Sequence, residues 1–188
     1  GVAWEDKAST AWWRGTFIAP STTLVSTAPF LPRVRLVRLS AEAPELLDAA
    51  FSGIHPTLAA VQWGREAVER VLRDARARVV PHEEFNASAT RHKYVVVVPG
   101  VTQSTQLGRV LRSGSVALVA SDDLREWLHA PLEPWVHFVP LRADLSDLLP
   151  TVRWLREHDA AARRIAQSAA VLASERTVPS AAYCYLWR

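Results

Sequence analysis

The chain has 188 residues, 49% hydrophobic and 22% charged, with a formal net charge of +3. That balance fits a globular protein with one sizeable core or two small ones, and excludes a disordered or fibrous chain. No run approaches the roughly eighteen apolar residues of a membrane span, and a single cysteine, Cys184, excludes an internal disulfide or a cysteine-based zinc site. There is no methionine, even at position 1, so the sequence reads as a piece of something longer.

Residues 1–32 are rich in Trp, Ser, Thr and Pro and read as a leading strand around Thr10 to Gly15 followed by a long loop. The remainder, 33–188, reads as one α/β domain. Val34 to Leu39 (VRLVRL) reads as a strand, and Pro44 to Phe51 places Leu47, Ala50 and Phe51 on one side of a short helix. In Gly64 to Arg78, Val68, Val71, Leu72 and Ala75 recur at helical spacing. Tyr94 to Val98 (YVVVV) is a β-branched run of the kind buried on both faces of a parallel sheet. A helical stripe of Leu107, Val110 and Leu111 ends at Gly114, a suitable C-cap residue. Ser115 to Ala120 is a second such strand, Asp122 to His129 a short helix and Trp135 to Leu141 a third strand. Two last helices follow, one capped by Ser146 and one by Asp159. Alternating strands and helices of this kind predict a Rossmann-like, doubly wound parallel sheet.

The positive charge is almost all arginine, spread among Asp and Glu; Glu66 with Arg70 and Glu69 with Arg73 have i,i+4 spacing. A phosphate-tracking surface concentrates its charge, so nucleic acid is not an expected partner.

In an open α/β sheet, ligands bind beyond the carboxyl ends of the strands. The first such loop is Pro99-Gly100-Val101-Thr102-Gln103-Ser104. Its glycine permits close backbone approach, and the amides and hydroxyls that follow suit a phosphate or diphosphate. The same pattern also describes any tight turn. Of the other constellations, His82-Glu83-Glu84 reads as a solvated loop, with no metal expected. His137 is either a sheet-end residue near the cleft or a core histidine. Alternation would bury one of Trp12 and Trp13 and leave the other to stack on a sugar or base.

Several blocks carry a family resemblance: Gly114 to Leu118, Glu126-Trp127, Leu132 to Leu141 (LEPWVHFVPL) and Asp144-Leu145-Ser146-Asp147-Leu148. Trp4-Glu5-Asp6-Lys7 with Trp12-Trp13-Arg14-Gly15-Thr16, Lys93-Tyr94 ahead of Gly100, and Ala182-Tyr183 agree in order and spacing. Together they resemble the C-terminal half of glycosyltransferase family 90, the CAP/Rumi-like enzymes, with the fungal members closest. The resemblance implies a GT-B architecture of two Rossmann-like domains, with the C-terminal one holding a UDP-sugar donor. It implies transfer of xylose or glucose without a metal or other cofactor, to a glycan or protein acceptor.

By position, the resemblance places the donor on Arg14, Gly15 and Thr16, on Gly100 with Val101, Thr102, Gln103, Ser104 and Gln106, and on Gly114 and Ser115. Gln106 stands where the family has an arginine, and Arg109 one turn on is the expected partial substitute; Pro99 and the apolar loop Phe17 to Ser21 also depart from the pattern. The half that carries the family's acceptor surface and catalytic Asp has no counterpart in the sequence, so the chain alone is expected to bind donor without transferring it. The alternative is a non-catalytic relative acting as a binding or interaction protein. Asn86-Ala87-Ser88 is an N-glycosylation pattern, which fits the secretory pathway (the ER or Golgi lumen) or secretion. Cys184 is either buried beside Tyr183 and Tyr185 or paired with a cysteine outside the sequence.

Overall fold

The computed structural model describes residues 2–20, 23–55, 63–81, 85–100, 106–120 and 131–176. Its centre is a five-stranded, all-parallel sheet in the order β2-β1-β3-β4-β5. The strands are β1 (Ala8–Phe17), β2 (Leu47–Ile54), β3 (His92–Val97), β4 (Val116–Ala120) and β5 (Val139–Leu141). Among the described residues six α-helices accompany it: α1 (Pro32–Glu42), α2 (Arg65–Asp74), α3 (Phe85–Ala89), α4 (Leu107–Arg112), α5 (Leu148–Glu157) and α6 (Asp159–Arg176). Val79 adds a single parallel bridge to Phe51 on the outer edge of β2, fixed by Phe51 N–H to Arg78 O (2.9 Å) and Val80 N–H to Phe51 O (2.8 Å). With that bridge counted as a rudimentary strand, the order is that of the dinucleotide-binding Rossmann fold.

A parallel sheet must be covered on both sides, and alternation along the strands supplies two apolar faces. Trp13, Phe17, Phe51, Tyr94 and Leu118 point into one cluster, closed by α1, α2 and α5. Trp12, Val95, Val97, Ala117 and Val119 point into the other, closed by α4 and by Ala169 and Ala173 of α6. Trp12 and Trp13 are therefore both buried, on opposite faces, and packing accounts for the pair without a stacked ligand.

The sequence assignments exchange places in one region. Val34 to Leu39 lies inside α1, not in a strand, and Pro44 to Phe51 leads into β2, not a helix. Pro32 sits in the first turn of α1, where its missing N–H costs nothing, and Val34, Val37 and Ser40 fall on its buried face. In β2 the alanines, good helix formers, are overridden because Leu47, Ala49, Ala50 and Phe51 are all sealed in the sheet. Trp135 to His137 forms a turn ahead of a three-residue β5. Asp147, not Ser146, occupies the N-cap of α5; its carboxylate instead accepts from Arg142 N–H (3.1 and 3.2 Å). Asn86 lies in the short helix α3 rather than a loop. The expected helix at 122–129 and the residues His82 to Glu84, Tyr183 and Cys184 lie outside the described residues.

Strand β2 lies at the edge of the sheet, and its open side is closed by a side chain from α1. The buried Ser40 hydroxyl donates to Leu47 O (2.9 Å) and accepts from Ala49 N–H (2.9 Å). Ser40→Ala leaves both backbone groups buried without that partner, so unfolding in urea should show a loss of about 1–3 kcal/mol. Tyr94 gives the converse case. Its hydroxyl is buried with no hydrogen-bond partner among the described residues, and burial pushes its pKa up to about 12. Tyr94→Phe should leave stability unchanged or raise it by roughly 1 kcal/mol, measured in the same assay.

Candidate functional site

Strand β1 connects onward to β2 on one side of it, and β3 connects onward to β4 on the other. The chain therefore diverges between the carboxyl ends of β1 and β3, and a crevice at such a switch point is where ligands bind in this fold. Thr16 and Phe17 end β1 there; Val98, Pro99 and Gly100 follow β3.

Arg33, in the first turn of α1, reaches into that crevice. Its Nε donates to Pro99 O (3.1 Å) and its Nη1 to Thr16 O (2.8 Å), so one guanidinium bridges the ends of both strands. Its partners are carbonyl oxygens; among the described residues no carboxylate pairs with it. Burial disfavours its charged form and lowers its pKa, leaving a half-buried cation in want of an anion. Sequence reasoning passed over Arg33, because its role depends on α1 being a helix. Pro32 immediately before it was the available signal.

Arg14 stands differently. Its guanidinium bonds Asp48 in a fork: Nη2 to Oδ2 at 2.9 Å, Nη1 to Oδ1 at 3.2 Å, and Nη1 also to Asp48 O at 3.0 Å. Arg78 holds the same carboxylate. Burial works to raise the Asp48 carboxyl, but the hydrogen bonds and charges of Arg14 and Arg78 outweigh it and hold the group below the usual carboxylate range. The charge of Arg14 is thus matched within the protein. Gln106, at the N-cap of α4, donates from Nε2 to Arg14 O (3.2 Å), tying that helix to β1. Arg109 is exposed on α4.

The structure brings Arg14, Gly15, Thr16, Gly100 and Gln106 to the β1–β3 crevice, together with Arg33. Val101, Thr102, Gln103 and Ser104 lie outside the described residues. Gly114 and Ser115 lie ahead of β4, at the opposite end of the sheet. There Gly114 takes a left-handed φ of 67° in the turn. Ser115 Oγ donates to His92 O (2.7 Å) and accepts from Lys7 Nζ (2.9 Å), which also donates to Ser113 O (3.0 Å). His137 is likewise remote, its Nδ1 accepting from Glu133 N–H (3.1 Å) in the turn before β5.

The chain matches the family model described as glycosyl transferase family 90 over residues 1–188. The chain belongs to glycosyl transferase family 90. Human protein O-glucosyltransferase 3 is 29% identical over 188 residues, covering 100% of this chain and 32% of its own length. Zebrafish (Danio rerio) protein O-glucosyltransferase 2 is 26% identical over 185 residues, with 98% and 32% covered. This family 90 chain therefore spans about a third of the length of these relatives. Among solved structures, Anabaena HepE in complex with UDP-glucose matches with a TM-score of 0.59 at 14% identity, covering 87% of this chain and 44% of that one. S. aureus MnaA with UDP matches with a TM-score of 0.54 at 11% identity, covering 97% and 46%. The fold is that of one Rossmann-like half of a GT-B glycosyltransferase. No helix among the described residues is long and apolar enough to cross a membrane.

The Trp4-Glu5-Asp6-Lys7 block shared with the family forms a clasp. Trp4 Nε1 donates to Asp159 Oδ2 (3.0 Å), Arg163 to Glu5 (2.6 Å), and Lys93 to Asp159 Oδ1 (2.7 Å) while lying over the Trp4 ring. Lys7 has two hydroxyl and carbonyl partners in a buried setting, and burial brings its pKa down to about 8. Between pH 8 and the unfolded value near 10.5, the unfolded chain binds the extra proton, so stability should rise with pH across that window. The rise in urea midpoint from pH 8 to 10 should be smaller in Lys7→Met; an equal rise in both proteins assigns it to other groups.

Proposed function

We propose that this family 90 chain is the donor-binding domain of a glycosyltransferase, taking a UDP-sugar (UDP-xylose or UDP-glucose) with its diphosphate at the β1–β3 crevice. The observation that carries the reading is Arg33, a guanidinium fixed at the switch point by two carbonyls and matched by no carboxylate among the described residues. A diphosphate supplies the missing negative charge through charge-assisted hydrogen bonds. Arg33 thus fills the part left open by Gln106, which stands where the family has arginine.

Gly100, Thr16 and Gln106 are the other described residues on the diphosphate side. Arg14 holds β1 to β2 through Asp48 and shapes the floor. The chain contributes a fixed cation at the switch point; the base and the acceptor wall, for a glycan or protein, belong to the half that this chain does not span. Transfer thus needs that half. The O-glucosyltransferase relatives and the Asn86 pattern support a place in the secretory pathway.

Calorimetric titration of the chain with UDP tests the reading. Binding is expected, and Arg33→Gln should weaken it by roughly tenfold to a hundredfold, the loss of a charge-assisted hydrogen bond or two. Absence of binding at millimolar UDP, or full affinity in Arg33→Gln, contradicts it. The non-catalytic reading rests on Gln106, Pro99 and the apolar loop Phe17 to Ser21; the Gln106 amide is turned to Arg14 O. Gln106→Arg separates the two: a large gain in UDP affinity marks an otherwise intact donor site, and no change marks a site that has lost its donor chemistry.

A further inference from the structure

We infer that Trp13 is a positioning residue for the donor diphosphate, acting through Arg33; the inference deepens the donor-site reading and rests on it. The Arg33 guanidinium lies over the Trp13 ring, 5.7 Å from its centroid. Trp13 is itself fully buried and held edge-on by Phe51, with 5.7 Å between ring centroids at 81°. Two glycines bound this stack. A Cβ on Gly15 would fall 2.5 Å from Trp13 Cζ2, and a Cβ on Gly100 would fall 2.8 Å from Arg33 Nη2.

The order of the layers is Gly100, Arg33, Trp13, Gly15. A glycine after a strand ordinarily lets a ligand come close to the backbone. Here the space left by the two missing Cβ atoms is taken by the protein's own cation and ring. That space is what lets an arginine lie over the Trp13 ring at the switch point while Nε and Nη1 bond Pro99 O and Thr16 O. Its Nη2 is left beside Gly100, at the start of the phosphate-side loop.

The physical gain is pre-organisation. A free arginine samples many rotamers and loses that freedom on binding an anion. Packed on an indole, it has lost it already. The ring's negative face also favours the charged guanidinium, opposing the burial that disfavours it. The Trp-Arg-Gly block is thereby read as a device that aims an arginine lying outside it.

The test compares UDP with uridine, which lacks the phosphates, by titration of the chain and of Trp13→Phe, Gly100→Ala, Arg33→Gln and the two double variants with Arg33→Gln. Trp13→Phe keeps an aromatic core residue but offers a smaller, weaker cation platform. It is expected to lower UDP affinity by roughly tenfold with uridine affinity unchanged, and to add nothing once Arg33 is glutamine. Gly100→Ala touches only the flexible end of Arg33 and should reproduce the phosphate-selective loss, again only while Arg33 is present. It decides the matter if Trp13→Phe fails to fold.

A UDP-to-uridine ratio equal to that of the unmodified chain in a folded variant makes Trp13 core filler and overturns the inference. So does an undiminished loss on top of Arg33→Gln. A parent chain that binds uridine but not UDP overturns it together with the donor-site reading. A parent that binds UDP with variants that keep the ratio overturns this inference alone.

Discussion

The Arg33 guanidinium ties the first and third strands together at the place where the chain parts to build the two halves of the sheet. The carboxyl ends of β1 and β3 lie side by side with connections leading away on opposite sides, so the fold itself opens a crevice there. Without a bridging donor, Thr16 O and Pro99 O would each need another partner. With it, the crevice acquires a cation whose Nη2 lies beside Gly100. Placement of the strands, burial of Trp13 and the helical start at Pro32 all converge on that one group.

The two ends of the sheet do different work. At the amino ends, Lys7, Ser115, Lys93 and Asp159 form a closed set of polar contacts, and the first residues clasp the N-terminus of α6. At Asp159, burial works to raise the carboxyl, but hydrogen bonds from Lys93 and Trp4 and the charges of Lys93 and Arg163 prevail and keep it low. These groups are satisfied among themselves, which suits a structural role. At the carboxyl ends the matched pair is Arg14 with Asp48, while Arg33 has no carboxylate partner among the described residues. The distinction between a matched and an unmatched arginine is what separates scaffold from site.

Much of this was legible in the residues. The β-branched run of β3 and the buried β4 announced a parallel sheet, and Gly100 was expected at the carboxyl end of β3, where it lies. The family blocks were equally plain, yet several of them hold the fold rather than the ligand. His137 braces a turn, Asp147 closes the turn from β5 to α5, and Gly114 and Ser115 lie at the far end of the sheet. What the residues concealed was the exchange at α1 and β2. VRLVRL is short and rich in branched apolar residues, as a strand is, and LLDAAF is rich in helix formers; only the sheet's two buried faces decide between them. Arg33 became visible as a site residue once that exchange was known, since a strand at 34–39 would point it elsewhere. Gly15 and Gly100 were legible as special positions, but the occupant of the space they leave is a tryptophan and an arginine of the same chain.

The most direct measurement is a titration of the isotope-labelled chain with UDP, followed by nuclear magnetic resonance of the backbone amides and the Arg33 Nε–H. The account requires the Arg33 Nε–H and the amides of Thr16 and Gly100 to shift together on one saturable curve, while those of Gly114 and Ser115 stay in place. Saturation with the Arg33 signal unmoved, or shifts gathered at the Lys7 and Ser115 end, would contradict it.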